Sequence, residues 1–92
     1  MKNITENKLL RILYKNKKKM VYIDFLGTIA GSTIIQKLIF LYFNNIIILK
    51  DINSKSYFTI NISYVYKILA SKDKKKIKVF LDEDVVVMIK FL

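Results

Sequence analysis

The sequence predicts a mostly β fold of the α+β class, an N-terminal helix followed by a small five- or six-stranded antiparallel barrel or strongly curved sheet. Three observations carry that prediction. Helical periodicity marks the N-terminus, a period of two takes over after Met20, and short polar segments punctuate the alternating runs. At 92 residues the chain is one domain, 1–92, with one modest core.

Thr5 is placed to cap the helix, with Glu6 complementing the helix dipole and Ile4 positioned to staple onto Leu9. Leu9, Leu10, Leu13 and Tyr14 fall on one stripe, so the helix covers residues 5–16 and ends in a basic run. Val21, Ile23 and Phe25 then alternate with Tyr22 and Asp24 in a strand ending near Gly27. Residues 33–43 fit either a helix capped by Ser32 or a strand. Their β-branched and aromatic content, and the Asn44-Asn45 pair that follows, favour a strand and a turn.

Residues 46–50 read as a short buried strand and 51–56 as its turn. Phe58, Ile60, Ile62, Tyr64, Tyr66 and Ile68 alternate with Tyr57, Thr59, Asn61, Ser63, Val65 and Lys67, the pattern of one long half-exposed strand. Residues 71–76 make a solvated loop and Ile77, Val79 and Leu81 a strand. Asp82-Glu83-Asp84 turns the chain, and Val85, Val87, Ile89 and Phe91 return it.

Composition narrows the chemistry. Phe, Tyr, Met, Ile, Asn and Lys supply 54 of the 92 residues, the skew of an AT-rich genome such as an organelle, a low-GC bacterium, a phage or a plasmid. The 16 lysines against a single Arg11 follow from that skew and carry no mechanistic meaning. The chain has no Cys and no His, which removes disulfides, thiolate and imidazole metal ligands, and the usual general base. Gly27 and Gly31 stand alone, so there is no glycine-rich phosphate loop. Asp82, Glu83 and Asp84 lack the ligand spacing of a calcium loop and read as a charged hairpin tip; Asp24 and Asp51 are isolated. No cofactor, metal or catalytic residue is expected.

The most apolar zone, residues 25–49, splits at Lys37 into two uncharged runs of 12 residues, short of the roughly 18 a spanning helix needs. No apolar leader opens the chain, and a cytoplasmic or organellar-matrix location is expected. The net charge of +10 calls for an anionic partner. Two clusters carry much of it: Lys15, Lys17, Lys18 and Lys19, and Lys72, Lys74, Lys75 and Lys76. Brought to one face, they would suit a phosphate backbone, with Tyr22 and Tyr57 available to stack on bases.

Asn45-Ile46-Ile47-Ile48-Leu49-Lys50-Asp51 is similar to the Asn-led apolar strand of the first motif of Sm-like (Lsm/Hfq) proteins. Residues 60–68 have the span of the second motif, closing on Val65 and Ile68. Asn61-Ile62 replaces the second motif's Arg-Gly or Lys-His pair, and the Asp before the first motif's Asn is missing. The resemblance covers residues 5–70. It implies a small barrel, a ring oligomer, and Asn45 and Asn61 at the base pocket.

These readings converge on non-catalytic nucleic-acid binding, to RNA in a ribonucleoprotein or ribosomal context. The alternatives are a mobile-element or phage protein that blocks a host complex through an acidic protein surface, and a small membrane-associated subunit.

Overall fold

The computed structural model describes residues 1–27, 30–82 and 84–92. The chain is mostly β with an N-terminal helix, as its alternation dictates. Thr5 caps helix α1 (Glu6–Lys15), its hydroxyl accepting the Lys8 N–H at 3.1 Å. The buried stripe is Leu9, Ile12 and Leu13 rather than one reaching Tyr14, which is 67% exposed. At 100° per residue Tyr14 sits a quarter-turn beyond Leu13, off the arc that Leu9, Ile12 and Leu13 share.

The strands are β1 (Lys2–Asn3), β2 (Val21–Leu26), β3 (Gly31–Ile35), β4 (Leu38–Phe43), β5 (Ile46–Asp51), β6 (Tyr57–Asn61), β7 (Lys67–Ala70), β8 (Lys76–Phe80) and β9 (Val86–Phe91). Among the described residues they do not close into a barrel. They form a six-stranded antiparallel sheet in the order β1-β7-β8-β9-β2-β3 and a three-stranded sheet in the order β4-β5-β6. Val21, Ile23, Ile68, Ala70, Ile77, Val79, Val87, Ile89 and Phe91 line the inner face of the larger sheet; Leu38, Ile47, Leu49 and Ile60 line that of the smaller. Together with α1 they make one core. Phe25 and Phe58 bridge the sheets, ring centroids 5.6 Å apart.

Two segments that the sequence reads as single strands are each divided between the sheets. Residues 33–43 are strand throughout most of their length, but break at Gln36-Lys37, where the chain leaves the larger sheet for the smaller. Residues 57–68 are not one strand. β6 ends at Asn61, whose carboxamide oxygen accepts the Ser63 N–H at 3.0 Å and caps a 3-10 turn, Ile62–Tyr64, before β7 begins in the other sheet. Tyr64 and Tyr66 are therefore 67% and 61% exposed, not part of the buried face expected with Phe58, Ile60, Ile62 and Ile68.

The Asn44-Asn45 turn between β4 and β5 forms as expected. Both residues have positive φ, 50° and 62°, the left-handed pair that joins twisted strands and that Asn tolerates. Gly27 ends β2 at φ 156°, where a Cβ would lie 2.0 Å from the Asp84 carbonyl oxygen. Asp82 accepts the Asp84 N–H at 3.0 Å in the turn before β9; Glu83 lies outside the described residues. The apolar zone of residues 25–49 supplies strands, and no described helix is long and apolar enough to cross a membrane.

Candidate nucleic-acid interface

The exposed side of α1 is a row of cations. Lys8, Arg11 and Lys15 recur at i, i+3 and i+7, which places them on one helix face. Glu6, the helix's carboxylate, is turned elsewhere: it accepts a hydrogen bond from the Tyr42 hydroxyl on β4. That bond, with partial burial, holds the Tyr42 phenol above its usual pKa. The helix face beside Lys8 and Arg11 is thus left with positive charge alone.

Beyond α1 the chain is pinned. The Lys18 N–H donates to the Leu38 carbonyl at 2.7 Å and the Leu38 N–H to the Lys19 carbonyl at 3.0 Å. Lys18 takes φ 67° in this turn.

The opposite wall is the turn between β7 and β8. Ser71 and Asp73 organise it. The Ser71 N–H donates to the Lys76 carbonyl at 2.9 Å, its hydroxyl accepts the Lys76 N–H at 3.0 Å, and the same hydroxyl donates to Asp73 at 2.7 Å. Asp73 also accepts the Lys75 N–H at 3.0 Å; this bond first, and the Ser71 hydroxyl next, hold its carboxyl below the usual range. The Phe91 N–H donates to the Lys75 carbonyl at 2.8 Å and ties the turn to β9. Asp73 therefore serves as the turn's internal acceptor.

Between these walls lies a cleft of about 410 Å³ lined by Lys8, Arg11, Ile12, Lys15, Asn16, Lys19, Asp73, Lys74 and Lys75. It brings the two sequence clusters together in part. Lys15 and Lys19 come from the first and Lys74 and Lys75 from the second. Lys17 lies elsewhere, its ammonium 4.7 Å from the centre of the Tyr14 ring, and Lys18 does not line the cleft. Lys72 and Lys76 line a separate hollow on the turn with Ser71 and Asp73.

The four uncharged candidates are placed away from the cleft. Tyr22 is half-buried in β2, between Ile34 and Lys90 of the neighbouring strands. Tyr57 is 66% exposed on β6, beside Leu41, Ile48, Lys50 and Thr59. Asn45 and Asn61 meet at one end of the small sheet, where the Ile62 N–H donates to the Asn45 carbonyl at 2.7 Å; each supports local backbone, one as a turn residue and one as a cap.

Lys8 and Arg11 were not among the sequence candidates. Each is isolated in the sequence, and only their helical spacing to Lys15 marks them. Of the isolated acids, Asp24 lies 3.9 Å from the Lys90 ammonium, and Asp51 is buried as the acceptor for a backbone turn. Among the described residues no three acidic, His or Cys side chains gather as a metal site. No protein-family model, no curated protein and no solved structure matches this chain, so the geometry of the cleft carries the functional argument.

Proposed function

We propose that this protein binds the phosphate backbone of nucleic acid, RNA in a ribonucleoprotein setting, without catalysing a reaction on it. The observation that carries the reading is the convergence of Lys8, Arg11, Lys15 and Lys19 with Lys74 and Lys75 on one cleft, against a single carboxylate already engaged by its own turn. Neutralising phosphates releases the counterions condensed on them, and that release drives association. The hydrogen-bonded β7–β8 turn presents its lysines on a fixed backbone, which lowers the ordering cost of binding. A cleft walled on two sides suits one backbone strand laid along it better than a duplex docked on a flat face.

The test is a titration of labelled single-stranded RNA, single-stranded DNA and duplex at several salt concentrations. Six cleft cations at about 0.7 counterions each would contribute up to about −4 to the log–log salt slope for a single strand. The reading expects a slope steeper than about −2. Micromolar or weaker binding at low salt with a flat slope would overturn it.

A second reading, docking to an acidic protein surface, is favoured by a different observation. The Asp51 N–H donates to the Ser56 carbonyl at 3.1 Å, and strand alternation then turns the backbone groups of Tyr57 and Thr59 away from β5. This free edge of the small sheet adjoins the apolar hollow of Leu41, Ile48 and Tyr57, with Lys50 as its cation. An extended acidic segment could add to it as a strand. Capture of a protein partner that is released by charge reversal at Lys50, with no RNA affinity, would select this reading.

A further inference from the structure

The β7–β8 turn has a basic groove on each of its flanks. One is the cleft against α1. The other, also about 410 Å³, is lined by Met1, Lys2, Ala70, Ser71, Lys72 and Lys74. Lys74 borders both. It takes φ 63° at the crest of the turn, and its N–H donates to the Ser71 carbonyl at 3.0 Å, so its backbone is fixed where the grooves meet.

Lys2 is held in place too. β1 pairs Lys2 with Ala70 and Asn3 with Leu69, and the Ile4 N–H extends the ladder to the Ile68 carbonyl at 2.9 Å. The two-residue strand thus sets a cation beside the turn, at the edge of the larger sheet. Asp73, the carboxylate of the turn, lines the cleft and not this second groove. Among the described residues the lining of the second groove is cationic, polar-neutral or apolar, and Asp73 adjoins it only through the hollow that it shares with Ser71, Lys72 and Lys76.

We infer that the anion-binding surface crosses the β7–β8 turn, so that the ligand is a single-stranded polyanion running from the Lys15–Lys75 cleft over Lys74 into the Lys2–Lys72 groove. This rests on the nucleic-acid reading and adds to it a ligand class. A mononucleotide or an isolated phosphate group would fill one groove. Only a chain with regularly spaced phosphates uses both.

The test compares labelled oligouridines of about 3 and about 12 nucleotides, one below and one within the range of site sizes for small single-strand binders. Each is titrated at several salt concentrations against wild type, the second-groove variant K2Q/K72Q and the cleft variant K15Q/K75Q. The exposed positions should leave the fold intact, which circular dichroism checks. For the long oligomer, K2Q/K72Q should flatten the salt slope by about 1.4, two contacts at about 0.7 each. For the short one the same variant should bind as wild type does. K15Q/K75Q should weaken both.

An unchanged slope for K2Q/K72Q on the long oligomer, with K15Q/K75Q still weakened, would overturn the inference and leave the cleft reading standing. Failure of wild type to bind either oligomer would overturn the reading itself and the inference with it.

Discussion

The Asp51 carboxylate accepts the backbone N–H of Gln36 at 3.0 Å, across fifteen positions of sequence, and so fixes the corner where the chain passes from one sheet to the other. The same side chain accepts from Lys37 at 3.2 Å and Asn53 at 3.0 Å, with the Ser54 hydroxyl at 3.3 Å. Donors that would lack partners in the β3–β4 connection are satisfied by one residue at the end of β5. Asp51→Ala removes all four acceptor contacts and should lower the melting temperature on the order of 5–10 °C, because these part-buried donors lose a charged acceptor. Asp51→Asn keeps one acceptor oxygen and should lose less. Thermal melts of the two variants check the ordering.

Acid should act through the same carboxylate. The N–H groups of Gln36 and Asn53 hold Asp51 below its ordinary value of 3.8 in the folded chain. A depressed carboxyl pKa stabilises the fold above the unfolded-state value, and that contribution is lost as pH falls through the lower folded value. Wild type should therefore lose stability more steeply than Asp51→Ala below about pH 4, in the window between the two states' pKa values. Denaturant midpoints measured from pH 7 to pH 2 would show the curves converging; parallel curves would refute the role.

Core substitutions distinguish the two-sheet path of residues 57–68 from a continuous strand. Ile60 is 1% exposed, and Ile60→Ala should cost about 2–5 kcal/mol. Tyr64→Ala and Tyr66→Ala, on exposed positions, should each stay within about 0.5 kcal/mol apart from the packing of Tyr66 on Phe80. A continuous strand would make Tyr64 and Tyr66 as costly as Ile60. Urea titrations of the three variants decide it.

The Asn44-Asn45 turn offers a backbone test. Asn45→Gly should hold or raise stability, while Asn45→Val should lose about 1–2 kcal/mol, since a β-branched residue fits poorly at φ 62°. Equal stability of the two would mean that another turn joins β4 to β5.

Local signals were readable wherever their cause was local. The Thr5 cap, the Asn44-Asn45 turn, β5 and the β7–β8 turn each rest on neighbouring residues. The two sheet crossings were hidden for different reasons. At the second, both sheets face a common core and Phe58, Ile60, Ile62 and Ile68 run through the corner in phase. At the first, the inward positions shift phase from Ile35 to Leu38, and the residue that fixes that corner, Asp51, lies far along the chain. The same holds at the site. Both lysine clusters stood out as runs, yet Lys17 and Lys18 do not line the cleft that Lys15 and Lys19 line. Lys8 and Arg11 make no run, and become neighbours of Lys15 only by the pitch of α1.

The most direct test of the account uses that division within a single cluster. K15E/K75E reverses two cations that line the cleft from opposite walls, and K17E/K18E reverses two that do not line it. The net charge changes equally, so bulk attraction for a polyanion changes equally. In an RNA titration at fixed salt, K15E/K75E should weaken binding by roughly tenfold or more beyond K17E/K18E. Equal losses in the two variants would mean that overall charge, and not the cleft, holds the nucleic acid.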